Sequence, residues 1–106
     1  MSSIPVIPNI HQKILEAVSN DGTLNMGSWH AHGFCGTTHC RAGWVTHLAG
    51  EAGRKLEEAT STEFAAMQIY AASSPIPVSP VRFYEADDVA MADIKRCADE
   101  EAKSAR

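Results

Sequence analysis

The residues best equipped for chemistry crowd into WHAHGFCGTTHCRAGWVTHLAG, positions 29–50, which hold two of the three cysteines, four of the five histidines and both tryptophans. Three chemistries compete there with a plainly structural role. Zinc accepts mixed Cys/His tetrahedra, so Cys35 and Cys40 could join His30 and His32, or His39, around one ion. Extended backbone through His30-Ala31-His32 would set both imidazoles on one side, which favours a chelate. Cys40 and His47 could not share the ion, because seven residues of regular helix separate them by about 10 Å along the axis. The second chemistry is that of a reactive thiol. Cys40 at a helix N-terminus would have its pKa lowered by the dipole, with Cys35 as resolving partner and His39 adding positive charge. The third is a disulfide between Cys35 and Cys40, whose very short loop would contribute little entropically.

The structural reading is the one we favour. Free cysteine is among the most buried residue types. Cys40 then packs beneath Trp44 with Cys35 close by, the threonines act as caps, and His30 and His32 point away from both sulfurs. Four residues separate the two cysteines, against two in common zinc and redox motifs. Gly36 makes the chain reversal between them cheap. No cofactor is therefore expected, with zinc kept as the alternative. Sets such as G-x-S-x-G, a P-loop or H-E-x-x-H do not occur.

Positioning these residues falls to a series of helical segments. Pro5 and Pro8 make residues 1–8 an extended arm. Asn9 is placed to cap a helix over 10–20, with Gln12 at the capping-box position and Ile10, Ile14 and Val18 as its buried stripe. The glycine-rich run that follows has no helical period and reads as irregular, with a short extended piece at 24–26. A second helix should start at Thr37 or Thr38 and carry Cys40, Trp44 and Leu48 on one side. Gly43 inside it suggests a close approach of another backbone. Thr60 with Glu63 forms a capping box for a third helix over 61–72, whose stripe is Phe64, Met67 and Ala71. Residues 73–80, with three prolines, form an extended connector. VRFYE is either a short strand or an anchor for two aromatics. Asp87 caps a last helix, about 88–103, with Ala90, Ile94, Cys97 and Ala98 inward and 104–106 as a frayed tail.

The bulk properties exclude several classes. At 106 residues the chain has room for one core, so 1–106 should be a single domain. Apolar residues make up 44% and charged residues 21%, a balance that argues against disorder. The net charge is −4 and no basic cluster exceeds two adjacent residues, which disfavours nucleic acid as a partner. No run approaches the ~20 apolar residues of a membrane span. The N-terminal sequence lacks the basic residue and unbroken apolar stretch of a signal peptide. A cytoplasmic location is expected, and there the odd cysteine count fits reduced thiols.

LNMGSWH, then CGTTHCRAGW and LAG, resembles a pattern in short, uncharacterised bacterial and phage-associated proteins. The shared text is a Met-x-x-Trp segment, a gap, and Cys-Gly-Thr-x-x-Cys-x-Ala-Gly-Trp. It falls here on Met26, Trp29, Cys35, Gly36, Thr37, Cys40, Ala42, Gly43 and Trp44, within about a quarter of the chain. The resemblance implies that the two cysteines, the glycines and the second tryptophan form one structural unit. It carries no substrate, and the final helix has no counterpart in it.

The expected architecture is mainly α, a single small domain of about four helices with an irregular Gly/His/Cys-rich loop. The expected function is a small intracellular binding or accessory protein, with an unidentified protein partner and no catalysis of its own. The alternatives are a metal or thiol site centred on Cys35 and Cys40, and an oligomeric structural protein that buries Phe83, Tyr84 or the Pro-rich connector between subunits.

Overall fold

A computed structural model describes residues 4–19, 24, 26 and 40–104, together with the backbone of 30–33 and 36–39. Trp29 and Cys35, and with them any approach of Cys35 to Cys40, lie outside the described residues, as do 1–3 of the arm and 105–106 of the tail.

Ile10, Ile14 and Val18 recur at helical spacing and are buried along α1 (Ile10–Val18). The helix is capped from a distance. Asn9 stands at the N-cap position in left-handed backbone, φ 55° and ψ 42°, and makes no side-chain cap bond. Its place is taken by Glu101, which accepts from the His11 N–H at 3.2 Å and the Gln12 N–H at 2.9 Å. Gln12 uses its amide on the same carboxylate, 3.2 Å away, rather than closing a capping box. A carboxylate at a helix N-terminus satisfies orphan donors and complements the dipole, whichever part of the chain supplies it.

Within the run expected to be irregular, β1 (His30–Gly33) and β2 (Gly36–His39) pair antiparallel, with His30 opposite His39, Ala31 opposite Thr38, His32 opposite Thr37 and Gly33 opposite Gly36. Thr37 and Thr38 therefore stand in a strand, not at a helix start. The helix begins later, at α2 (Arg41–Leu48), and Cys40 is its N-cap, with its sulfur accepting from the Gly43 N–H at 3.3 Å. A helix absent from the sequence reading, α3 (Gly50–Ala59), follows at once. Gly50 makes the corner at φ 67°, where a side chain would be strained. The close approach suggested by a helical glycine occurs in this segment at Gly53, where a Cβ would collide with the Thr46 carbonyl.

Ser61, not Thr60, caps α4 (Thr62–Ser73), accepting from the Phe64 N–H at 3.0 Å. The Thr60 hydroxyl instead donates to the Leu56 carbonyl at the end of α3. The connector after α4 is extended, and Pro80–Tyr84 forms a 3-10 turn that anchors Phe83 in the core and leaves Tyr84 outside. In α5 (Asp87–Ser104), Ala90, Ile94, Cys97 and Ala98 are buried as their spacing requires, and Asp93 is buried with them. Asp87 serves the loop rather than the helix, accepting from the Met26 N–H at 2.8 Å.

The architecture is thus mainly α: five helices, the 3-10 turn and the small hairpin among the described residues. α5 lies along α1, α2 along α4, and α3 bridges α2 and α4. The core gathers Ile7, Ile10, Ile14, Trp44, Val45 and Ile69. No helix among the described residues is long and apolar enough to cross a membrane.

Candidate functional site

The Cys-Arg-Ala-Gly-Trp run meets the rest of the molecule through Arg41, the second residue of the run and 0% exposed. Its Nη1 donates to the Asp93 carboxylate at 2.5 Å, its Nε to the Tyr70 hydroxyl at 3.0 Å, and its Nη2 to the Cys97 sulfur at 3.5 Å. One side chain of α2 thereby ties α4 and α5 together. Asp93 also accepts from Arg96 Nε and Nη2, at 3.0 and 2.9 Å. Burial works against ionising Asp93, yet hydrogen bonds from Arg41 and Arg96 outweigh it and hold the carboxyl below the usual range. Arg41 is likewise disfavoured by burial and held charged by Tyr70 and Asp93. A buried guanidinium survives only when paired and hydrogen-bonded, as here.

Aromatic rings flank the pair. His11 stacks on Tyr70 with centroids 5.2 Å apart, and Tyr70 is parallel to Phe83 at 6.3 Å. The Arg41 guanidinium carbon lies 5.5 Å from the Tyr70 centroid. His11 is buried with Nε2 unpartnered among the described residues. Burial lowers its pKa and Glu101 pulls the other way, with burial prevailing.

This geometry makes a clamp, not an open reaction centre. Arg41, Asp93, Tyr70 and Cys97 are all buried, and their polar atoms are occupied by one another. Cys40 is also buried, and burial pushes its thiol up, more than the Gly43 N–H pulls it down. The dipole expected to activate this thiol is spent on a helix cap. Gly43 adds its carbonyl, which accepts from Thr46 at 3.0 Å. Trp44 packs in the core and meets His47 edge-on at 5.4 Å. Cys40, Gly43 and Trp44 are thus brought together on α2. His30 and His32 stand on β1, while Gly36 and Thr37 stand on β2. Among the described residues no group of three His, Cys, Asp or Glu is arranged to hold a metal ion.

Sequence reading missed Arg41 and Asp93. The available signal was an aspartate inside the Ala90/Ile94/Cys97 stripe, an ionisable residue where only apolar ones are expected.

The surface offers a different kind of site. α4 buries Ala65, Ala66, Ile69 and Tyr70. The stripe read from the sequence faces solvent: Phe64 is 46% exposed, Met67 36%, and Ala71 is exposed too. The helix is apolar on every side, so periodicity alone cannot choose its inner face. The small Ala65 and Ala66 let α2 come close, and Tyr70 is required by Arg41. Met67, Tyr70 and Ala71 line one wall of a groove of about 380 Å³, and residues 74–78 line the other. At the other end of α4, Glu63 accepts the hydroxyl of Tyr84, which is 67% exposed. No known family model, curated protein or solved structure matches the chain.

Proposed function

We propose that the chain is a small intracellular binding or accessory protein, cytoplasmic and without catalysis of its own, that engages a protein partner through the outer face of α4. The observation that carries this reading is the exposed run Phe64, Met67 and Ala71 beside Tyr84 and the 74–78 groove. Aromatic residues and methionine are enriched in the cores of protein interfaces, and contiguous exposed apolar surface marks interaction sites more often than chance. The occupied state of the Arg41 cluster supports a structural role for the Cys-Arg-Ala-Gly-Trp run. Phe83 cannot serve a subunit interface, being 1% exposed within its own chain.

The test is a photo-crosslinking amino acid in place of Phe64, compared with the same group in place of Lys55 on α3, in cells producing the protein. A discrete adduct from position 64 alone is expected. No adduct from position 64, or equal adducts from both, would overturn the reading.

A second reading is favoured by the hairpin register. Positions 30, 32 and 39, all histidine, fall on one face of the ladder. Zinc is commonly held by three histidines with an open fourth position. This reading keeps a metal but takes its donors from the ladder rather than from Cys40. Cobalt titration should give a visible-band spectrum that disappears in His30→Ala and in His39→Ala. An unchanged spectrum in both variants sinks it.

A further inference from the structure

We infer that the start of α1 is an acid-released latch: protonation of His11 favours a locally open form in which its ring has left Tyr70 and residues 4–12 are freed while the rest of the core stays closed. Backbone bonds and a ring stack hold that segment. The Ile7 N–H donates to the Ser73 hydroxyl at 2.9 Å, and the His11 and Gln12 N–H groups donate to Glu101 at 3.2 and 2.9 Å. The His11 ring lies on Tyr70 with planes 18° from parallel. His11 is only 1% exposed. It is the residue through which α1 meets α4, α5 and the connector after α4 together.

A neutral imidazole suits this position and a charged one does not. Nε2 is buried without a partner among the described residues, so a proton there creates a buried N–H with no acceptor. Burial opposes the charged ring most strongly, and Arg41 on α2 repels it as well. Glu101 and Asp93 on α5 and the Ile76 carbonyl of the connector pull the other way. Both carboxylates are already engaged. Glu101 accepts from the His11 and Gln12 N–H groups and from the Gln12 amide. Asp93 accepts from Arg41 and Arg96, with Arg82 at 3.6 Å. From α4 the ring is faced by Tyr70, a neutral phenol whose hydroxyl accepts from Arg41.

Once the ring is in water its pKa returns to the usual 6.5, whereas the closed form holds it lower. Above that value both forms are neutral and the open fraction is constant. Below it the open form takes up a proton that the closed form resists. The open fraction then rises by up to about tenfold per pH unit, until the folded pKa is passed. The release is local because the Arg41 cluster is bonded through α2, α4 and α5, not through α1. Tyr70 also keeps Phe83 on its far side, at 6.3 Å. Tyr70 and Ile76 line the groove along residues 67–78, so departure of the His11 ring takes the backing from that wall. The latch does not depend on a partner at α4.

The experiment is amide hydrogen exchange of the full chain between about pH 7.5 and pH 5, corrected for intrinsic rates, which reads the open fraction residue by residue. The Ile7, His11 and Gln12 amides should exchange through an opening more frequent than the one that exposes Val45 and Ile69. Its frequency should rise by up to about tenfold per unit below pH 6.5. In His11→Phe the Ile7 and Gln12 openings should lose that rise. Glu101→Gln keeps an acceptor for the α1 N–H groups and removes the charge that favours protonated His11. It should extend the rise to lower pH, because the closed form then resists the proton further. Openings of equal frequency at Ile7, Gln12, Val45 and Ile69 would mean that the domain opens as one body, and the latch is overturned. A flat profile in the parent chain, or a rise that persists in His11→Phe, overturns it equally. A rise that ends at the same pH in Glu101→Gln overturns the charge balance on which the latch stands.

Discussion

The Arg41 cluster and the outer face of α4 invert the usual distribution of polarity. At the first, a guanidinium and a carboxylate sit where apolar side chains belong. At the second, Phe64 and Met67 sit where polar ones would cost nothing. The two regions are joined by α4 itself, which presents Tyr70 inward to Arg41 and Met67 outward. The contrast teaches that one helix can serve the fold with one face and, in the proposed reading, a partner with the other. Charge is used inside to fix how α2, α4 and α5 meet, and apolar surface is left outside. Removal of a residue should therefore hurt stability in one region and binding in the other.

The sharpest way to break this contrast is Arg41→Ala. It leaves Asp93 buried without its principal partner and should cost about 3–5 kcal/mol, much of a small domain's stability. Urea unfolding measures it. A loss under about 1 kcal/mol would mean that the pair is effectively solvated and the inversion is false. The double variant Arg41→Met, Asp93→Leu should regain most of the loss, because a packed apolar pair replaces a packed ionic one.

Ser61→Ala separates α4 as a helix from α4 as a surface. It removes the bond to the Phe64 N–H and should cost about 1 kcal/mol in melting experiments. It should leave crosslinking at position 64 in place.

A smaller effect follows from His11. Its folded pKa lies below the usual 6.5, chiefly because it is buried. Above pH 6.5 both folded and unfolded chains hold it neutral, and its contribution is constant. As pH falls below 6.5 the unfolded chain gains a proton that the folded chain resists, so stability declines until the folded pKa is passed. Asp93 acts in a separate window, with stability present above 3.8 and lost as pH falls below it toward the depressed folded value. His11→Phe keeps a ring against Tyr70 and should flatten the first decline while leaving the second. If both persist in the variant, another group is responsible.

The smallest change in stability belongs to Phe64→Ser and Met67→Ser, each within about 0.5 kcal/mol of the parent chain. Destabilisation beyond about 2 kcal/mol would place those side chains in the core and end the comparison.

The parts of the fold legible in the sequence are those with one apolar face. Ile10/Ile14/Val18 and Ala90/Ile94/Cys97 each have polar residues opposite, and both stripes are buried as read. α4 has apolar residues all round, so its existence was legible and its orientation was not. α3 was missed because glycines at both 50 and 53 lower helix propensity, while its real determinants are a positive φ at Gly50 and a close fit of Gly53 on Thr46. Caps were misplaced for a different reason. Capping boxes are local patterns, whereas α1 receives its cap from Glu101, which no local pattern reveals. For the candidate site, Cys40, Gly43 and Trp44 share α2 and its cap, and the tie to the rest of the fold runs through Arg41 to residues from 29 to 56 positions away.

The bond between Glu101 and the start of α1 also sets an order of events during synthesis. His11 and its acceptor are 90 residues apart, and translation at ~5–20 residues per second separates them by roughly 5–20 s. Throughout that interval α1 emerges with uncapped N–H groups and an apolar stripe whose covering helix does not yet exist. An isolated helix of nine residues is too short to hold itself together in water. α1 therefore waits as a loose chain, and it is fixed against α5 only after α5 has left the ribosome, when α2, α3 and α4 have already been made.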